Sequence, residues 1–223
     1  MYELSEIEVR VLGCLIEKSI TTPDYYPITL NALTTACNQK SNRFPVMDLE
    51  DKVVLRALDE LRHKKFASMI HQANSRVPKY QHHFEDVLNL SDAEVAILCE
   101  LMIRGPQTPG ELRQRASRMH SFDSLAEVGN ILEHLCERNE GLLVKQLPRQ
   151  AGRKESRYCQ LLAGEPDIDE MEAAAGAAVA EPVRVSLEAE NKRMEALELE
   201  VEKLKQEMAA LQKAFSDFRE MFE

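Results

Sequence analysis

The sequence predicts a mainly α chain with small β hairpins, an α+β fold made of two tandem winged helix-turn-helix domains followed by a C-terminal coiled-coil helix. Three observations predict it. A long stretch near the start returns in the middle of the chain, each copy runs through three helical patterns into two strand-like runs, and the last part carries an apolar seam at heptad spacing.

The repeat is read directly. "LSEIEVRVLGCLI" at Leu4 returns as "LSDAEVAILCELM" at Leu90, a shift of 86 residues, and "TTP" at Thr21 returns as "QTP" at Gln107 with the same shift. In each copy a Ser with Glu three residues on (Ser5 and Glu8, Ser91 and Glu94) opens the first helix, because the two side chains satisfy each other's free backbone N–H groups. Ile7, Val11, Leu12, Leu15 and Ile16 then share one helical face, answered by Ala93, Ile97, Leu98, Leu101 and Met102. A second short helix is expected over about 29–37 and 109–117. The third is expected from near Asp48, with Val54, Leu55, Leu58 and Leu61 apolar, and from near Ser124, where "SLAE" reads as a capping box. The runs "ASMIHQ" and "KYQHHF", then "LLVKQL" and "RYCQLL", read as hairpins that close the units. The predicted domains are 1–88 and 89–163.

Residues 164–182 are acidic and Ala-rich with two prolines, the composition of a flexible linker. Within 183–223, Leu187, Met194, Val201, Met208, Phe215 and Phe222 fall seven apart, with Leu197, Leu204, Leu211 and Phe218 at the alternate seam position. This spacing predicts a parallel homodimeric coiled coil dimerised through Leu187, Met194, Leu197, Val201, Leu204, Met208, Leu211, Phe215 and Phe218. A helix folded back onto its own domains is the alternative reading.

Charge follows the same division. Residues 1–163 carry 21 Lys and Arg against 22 Asp and Glu, and residues 164–223 carry 7 against 16, so the net charge of −10 splits into −1 and −9. The chain of 223 residues is 44% apolar, enough for packed cores, and shows neither a leader pattern nor an apolar run long enough to span a bilayer. A soluble cytoplasmic protein with no membrane partner is expected. Its five cysteines are scattered, form no CxxC pair and sit in apolar patterns, as core thiols in a reducing compartment do.

The stretches "TTPDYYPITLNALTTACNQKSNRFPV", "RGPQTPGELRQRASRMHSF" and "LPRQAGRKESRY" are similar to those of the YceH family of bacterial proteins of unknown function, and the resemblance covers residues 4–163. It implies the tandem winged-helix fold. It implies no activity, and no catalytic residue carries over from it.

The chemistry points away from catalysis. His82-His83, His120 and the His134/Cys136 pair lack a zinc-ligand spacing, no Gly-rich phosphate loop is present, and no Ser, His and Asp set has a nucleophile elbow. No enzyme, metal or cofactor is therefore expected. Cations point instead to double-stranded DNA, with the second hairpin carrying Lys145, Arg149, Arg153, Lys154 and Arg157 against the single acid Glu155. Arg113, Arg115 and Arg118 lie on and after the second helix of that unit, and Lys40 with Arg43 take the matching place in the first. The nucleic-acid-binding set is Lys40, Arg43, Arg115, Arg118, Arg149, Arg153, Lys154 and Arg157. Against it stand Asp48, Glu50, Asp51, Asp123 and Glu127 at the starts of the third helices, where carboxylates would face phosphates. Two classes remain: a non-enzymatic dimeric DNA-binding protein, a transcriptional regulator by type, and a scaffold in which tandem winged helices bind an unknown protein partner. The loop "NQKSNRFPVMD" divides the same way, as a basic finger toward phosphates or as a self-capping connection between helices.

Overall fold

The computed structural model describes residues 3–71, 77–138, 141–149 and 155–165. The first copy runs α1 (Glu6–Thr21), a 3-10 turn (Pro23–Tyr25), β1 (Ile28–Thr29), α2 (Leu30–Cys37), α3 (Asp51–His63), β2 (Ala67–Ile70), β3 (Lys79–His82) and a short α4 (Phe84–Leu88). The second runs α5 (Asp92–Arg104), α6 (Pro109–Ala116), α7 (Leu125–Glu137), β4 (Val144–Gln146) and β5 (Tyr158–Gln160). The described residues thus form a mixed fold of seven α-helices with small antiparallel sheets.

Helix starts follow the expected chemistry. Ser5 with Glu8 and Ser91 with Glu94 both form complete capping boxes. Thr108 with Glu111 forms a third, which the "TP" signal alone did not announce. At Ser124 the box is half formed: its hydroxyl accepts the Glu127 N–H, while Glu127 reaches past it to accept the Asp123 N–H at 2.7 Å. Helix α3 begins at Asp51 rather than near Asp48. The cause is Asn38, whose side-chain amide donates to the Leu49 carbonyl and accepts the Leu49 N–H, both at 2.8 Å, closing the connection as a loop up to that point.

The first sheet has the order β1-β3-β2, all antiparallel, with Met69 opposite Tyr80 and Ile28 on the other side of Tyr80. The second pairs β4 with β5, and an isolated bridge from Gln107 to Tyr158 stands where β1 stands in the first copy. Strand β1 and helix α4 are too short for periodicity to announce.

The two copies share a single core, because α1 and α5 are buried nearly all round. Every residue from Glu8 to Glu17 and from Glu94 to Ile103 is buried. Each helix packs against helices of its own copy, α1 against α2 and α3 and α5 against α6 and α7, and also against the first helix of the other copy. At about 1.5–3 kcal/mol for each fully buried Leu or Ile, the shared face is a main source of stability. Backbone bonds tie the copies further: Leu4 N–H donates to the Leu162 carbonyl at 2.8 Å and Phe44 N–H to the Ile103 carbonyl at 2.9 Å.

Candidate nucleic-acid interface

The cations singled out in the sequence divide into exposed and engaged groups. Lys40, on the loop after α2, and Arg149, just past β4, are exposed and make no ion pair with any described residue. Lys145 on β4 is also exposed and meets Glu165 at 2.8 Å. Arg153 and Lys154, and the whole dimerisation set from Leu187 to Phe218, lie outside the described residues.

Arg43 does not face solvent as a basic finger would require. Its guanidinium is fully buried and pairs with Glu17 through both terminal nitrogens, while Nε donates to the Ala36 carbonyl at 3.0 Å and Nη1 to its neighbour's, Asn42, at 2.8 Å. Arg10 lies beside it, donating to the Cys37 carbonyl at 3.2 Å and the Pro45 carbonyl at 2.7 Å. The Asn38–Glu50 connection is therefore self-capping around Arg43, with Lys40 left outward. Burial by itself would raise the Glu17 carboxyl. The Arg43 hydrogen bonds and the charges of Arg43, Lys18 and Arg118 outweigh it and hold the group below the usual carboxylate range.

Arg115, Arg118 and Arg157 are partly exposed and already engaged. Arg118 bridges the copies, meeting Glu17 of α1 and, at 3.2 Å, Glu100 of α5. Arg115 donates to Gln107 Oε1 at 2.9 Å and reaches Glu111 at 3.5 Å. Arg157 donates to the Pro106 carbonyl at 2.7 Å and meets Glu111 at 3.3 Å. Sequence reasoning missed Glu17, Glu100 and Arg104, the last 2.7 Å from Glu100. Their signal was available: an acid inside an apolar run such as "LCELM" needs a cation once the helix is buried all round.

The third helices differ between copies. The exposed side of α3 carries Asp51, Lys52, Leu55, Arg56, Glu60, Arg62 and His63, cations and acids together, whereas that of α7 carries Leu125, Ala126, Asn130, Glu133, His134 and Glu137, with no Lys or Arg. An open groove of about 550 Å³ lies between the last turn of α3 and β2, lined by Asp59, Arg62, His63 and Ser68.

One set of side chains resembles a charge relay in its distances. His82 Nε2 is 2.8 Å from Ser19 Oγ and His82 Nδ1 is 3.1 Å from Glu85. The Ser19 hydroxyl, however, donates to the Ile16 carbonyl at 2.8 Å from inside the last turn of α1, so it is held as a helix back-bond and not presented as a nucleophile. The Tyr26 hydroxyl accepts the His82 N–H at 2.7 Å in the same cluster, which ties α1, β3 and the 3-10 turn together. Among the described residues no group of three His, Cys, Asp or Glu is placed to hold a metal ion, and no helix is long and apolar enough to cross a membrane.

Residues 4–153 match the family described as protein of unknown function, DUF480. The chain is 55% identical over 221 residues to a UPF0502 protein of Geobacter sulfurreducens, covering 99% of this chain and 98% of that one. It is 50% identical over 212 residues to a UPF0502 protein of Vibrio atlanticus, covering 93% and 94% of the two. With the match running through both copies and the long loops that resemble YceH proteins, the chain belongs to the DUF480, or UPF0502, family.

Proposed function

We propose that the chain is a tandem winged-helix protein that binds duplex DNA through its backbone, using the second hairpin and the loop after α2. The order helix, strand, helix, helix, strand, strand in the first copy, and its near repeat in the second with a bridge for the first strand, supports the winged-helix reading. The observation that carries the function is the placement of Lys40 and Arg149, which pair with no acid among the described residues. Lys40 and Arg149 stand exposed on a helix-connecting loop and just past the first strand of the second hairpin, where their charges are open to phosphates. A parallel coiled coil of residues 183–223 would present two such surfaces to one duplex.

The test is fluorescence anisotropy on a labelled duplex over a salt series. Affinity is expected to fall by about 0.9 log unit per log unit of salt for each phosphate contacted. Replacing Lys40, Arg149, Arg153 and Lys154 with Ala should flatten that slope without moving the melting temperature. No binding at low salt would overturn the reading.

A second reading has its own support. The acidic exposed side of α7, with Glu133 and Glu137, repels phosphates and suits a protein partner. In that case the same fold serves as an interaction scaffold, and duplex binding is absent at every salt concentration.

A further inference from the structure

We propose that the junction between the two copies is a binding site for a single phosphate group, held by Arg104, Arg115 and Arg118. Charge and reach both point there. Glu17 meets Lys18, Arg43 and Arg118, Glu100 meets Arg104 and Arg118, and Glu111 meets Arg115 and Arg157, so among the described residues three carboxylates face six cations. The groups are linked: Gln107 Nε2 donates to the Glu100 carbonyl at 3.0 Å while Gln107 Oε1 accepts from Arg115.

A surplus of positive charge near low-dielectric protein is unfavourable unless an anion joins it. Burial, first, and then the nearby Arg118 and Arg115 charges make the Arg104 guanidinium easier to deprotonate than usual, despite Glu100 beside it. The internal pairing is also imperfect, since Arg104 Nε and Glu100 Oε2 lie 2.7 Å apart yet out of hydrogen-bond alignment. The surplus is reachable, because the Arg115 and Arg118 side chains are 37% and 35% exposed.

Guanidiniums offer paired planar donors, and a tetrahedral oxyanion with several acceptors can take donors from more than one of them at once. Phosphate fits that donor set and its charge offsets the surplus. The site adjoins the second hairpin through Glu111, which meets both Arg115 and Arg157, and it takes a phosphate whether a nucleic-acid backbone carries it or it is free in solution.

The test is calorimetric titration of the full chain with inorganic phosphate at constant ionic strength. A saturable site is expected, weakened about tenfold by Arg115→Gln through loss of one charge-assisted donor. Arg118→Gln should weaken it at least as much, but Arg118 also holds Glu17 and Glu100, so folding is followed by circular dichroism. Glu111→Gln provides the opposite sign. Glutamine still accepts the Thr108 N–H and keeps the cap of α6, while loss of the carboxylate raises the surplus and tightens phosphate several-fold. A duplex that competes with phosphate identifies the backbone as the source. A duplex that binds elsewhere, or not at all, with phosphate still bound identifies free phosphate and leaves the site standing. No saturable phosphate binding by the native chain, or an unchanged affinity in Glu111→Gln, overturns the proposal.

Discussion

The Cys99 thiol donates a weak hydrogen bond to the Gly13 carbonyl at 3.4 Å, and these two residues, 86 apart, hold the same position in the two copies. The shift that relates the repeats in sequence is thus the separation of the residues that touch where α1 meets α5. Equivalent positions in contact are the mark of a two-fold relation, here between halves of one chain. Gly13 permits the close approach, since a Cβ there would sit 2.8 Å from Ile103 Cγ2 and 3.1 Å from Met102 Cβ.

That contact sets opposite signs for two glycines. Gly13→Ala gains helix propensity of at most about 1 kcal/mol but forces apart a β-branched side chain and a neighbouring Cβ in a full core, which costs about 1–3 kcal/mol. A net loss of stability is expected, and Gly13→Val should lose more. At Gly129, inside α7, an added Cβ would meet nothing within 4 Å, so Gly129→Ala should gain about 0.5–1 kcal/mol. Urea denaturation of both variants checks the pair, and stabilisation by Gly13→Ala would contradict the close crossing.

Glu17 makes stability depend on acid. Its folded carboxyl sits below its ordinary value of 4.5, so its contribution is fully present above that value and declines as pH falls through it toward the lower folded value. Glu8 and Glu94, also held low, act in the same direction. Removing one partner of so buried a pair costs about 3–5 kcal/mol, and Arg43→Ala should approach that figure at neutral pH. Glu17→Gln should show a shallower loss of melting temperature from pH 5 to pH 3 than the native chain. Parallel acid limbs would show that Glu17 is not a source of the dependence.

What could be read from the sequence was local. The caps at Ser5 and Ser91, the inner stripes of α1 and α5, and the hairpins each depend on residues a few positions apart. The roles of Arg43 and Arg118 depend on Glu17, 26 and 101 residues away, and no spacing rule reaches that far. The shared face of α1 and α5 had a signal in "VLGCLI" and "VAILCELMI", which are apolar on more than one helical side. Such helices are buried all round, and weighting that over a single stripe points to one core.

The cysteines are expected to react in a definite order. Cys14, Cys37, Cys99 and Cys159 are buried and Cys136 is half-buried, all as free thiols. Burial pushes the Cys99 thiol well up, the Cys159 thiol up to about 11 and the Cys136 thiol up as well, so all three supply little thiolate at neutral pH and the partial exposure of Cys136 sets it ahead. Native protein should release colour from an aromatic disulfide reagent slowly and first at Cys136, with all five thiols reacting in denaturant. Fast modification of Cys99 in the native chain would mean that α1 and α5 separate readily.

The tail makes the last prediction. Its seam positions fall outside the described residues, and pairing chemistry alone sets the expectation. In a parallel two-stranded coil the residue before each first seam position meets the partner residue five further on, which sets Arg193 against Glu198 and Glu200 against Lys205. Both pairs have opposite signs. Exposed pairs contribute at most about 1 kcal/mol each, so they select parallel orientation, while burial of Leu197, Val201, Leu204, Met208 and Leu211 drives association. Truncation after Glu181 should convert a dimer into a monomer in sedimentation equilibrium without changing the melting of the remaining core. Charge reversal at Arg193 and Glu200 together should weaken the dimer, and reversal of Glu198 and Lys205 in the same chain should restore it. If the truncated chain keeps the mass ratio of the full one, the seam is not the dimer element and the helix closes on its own chain.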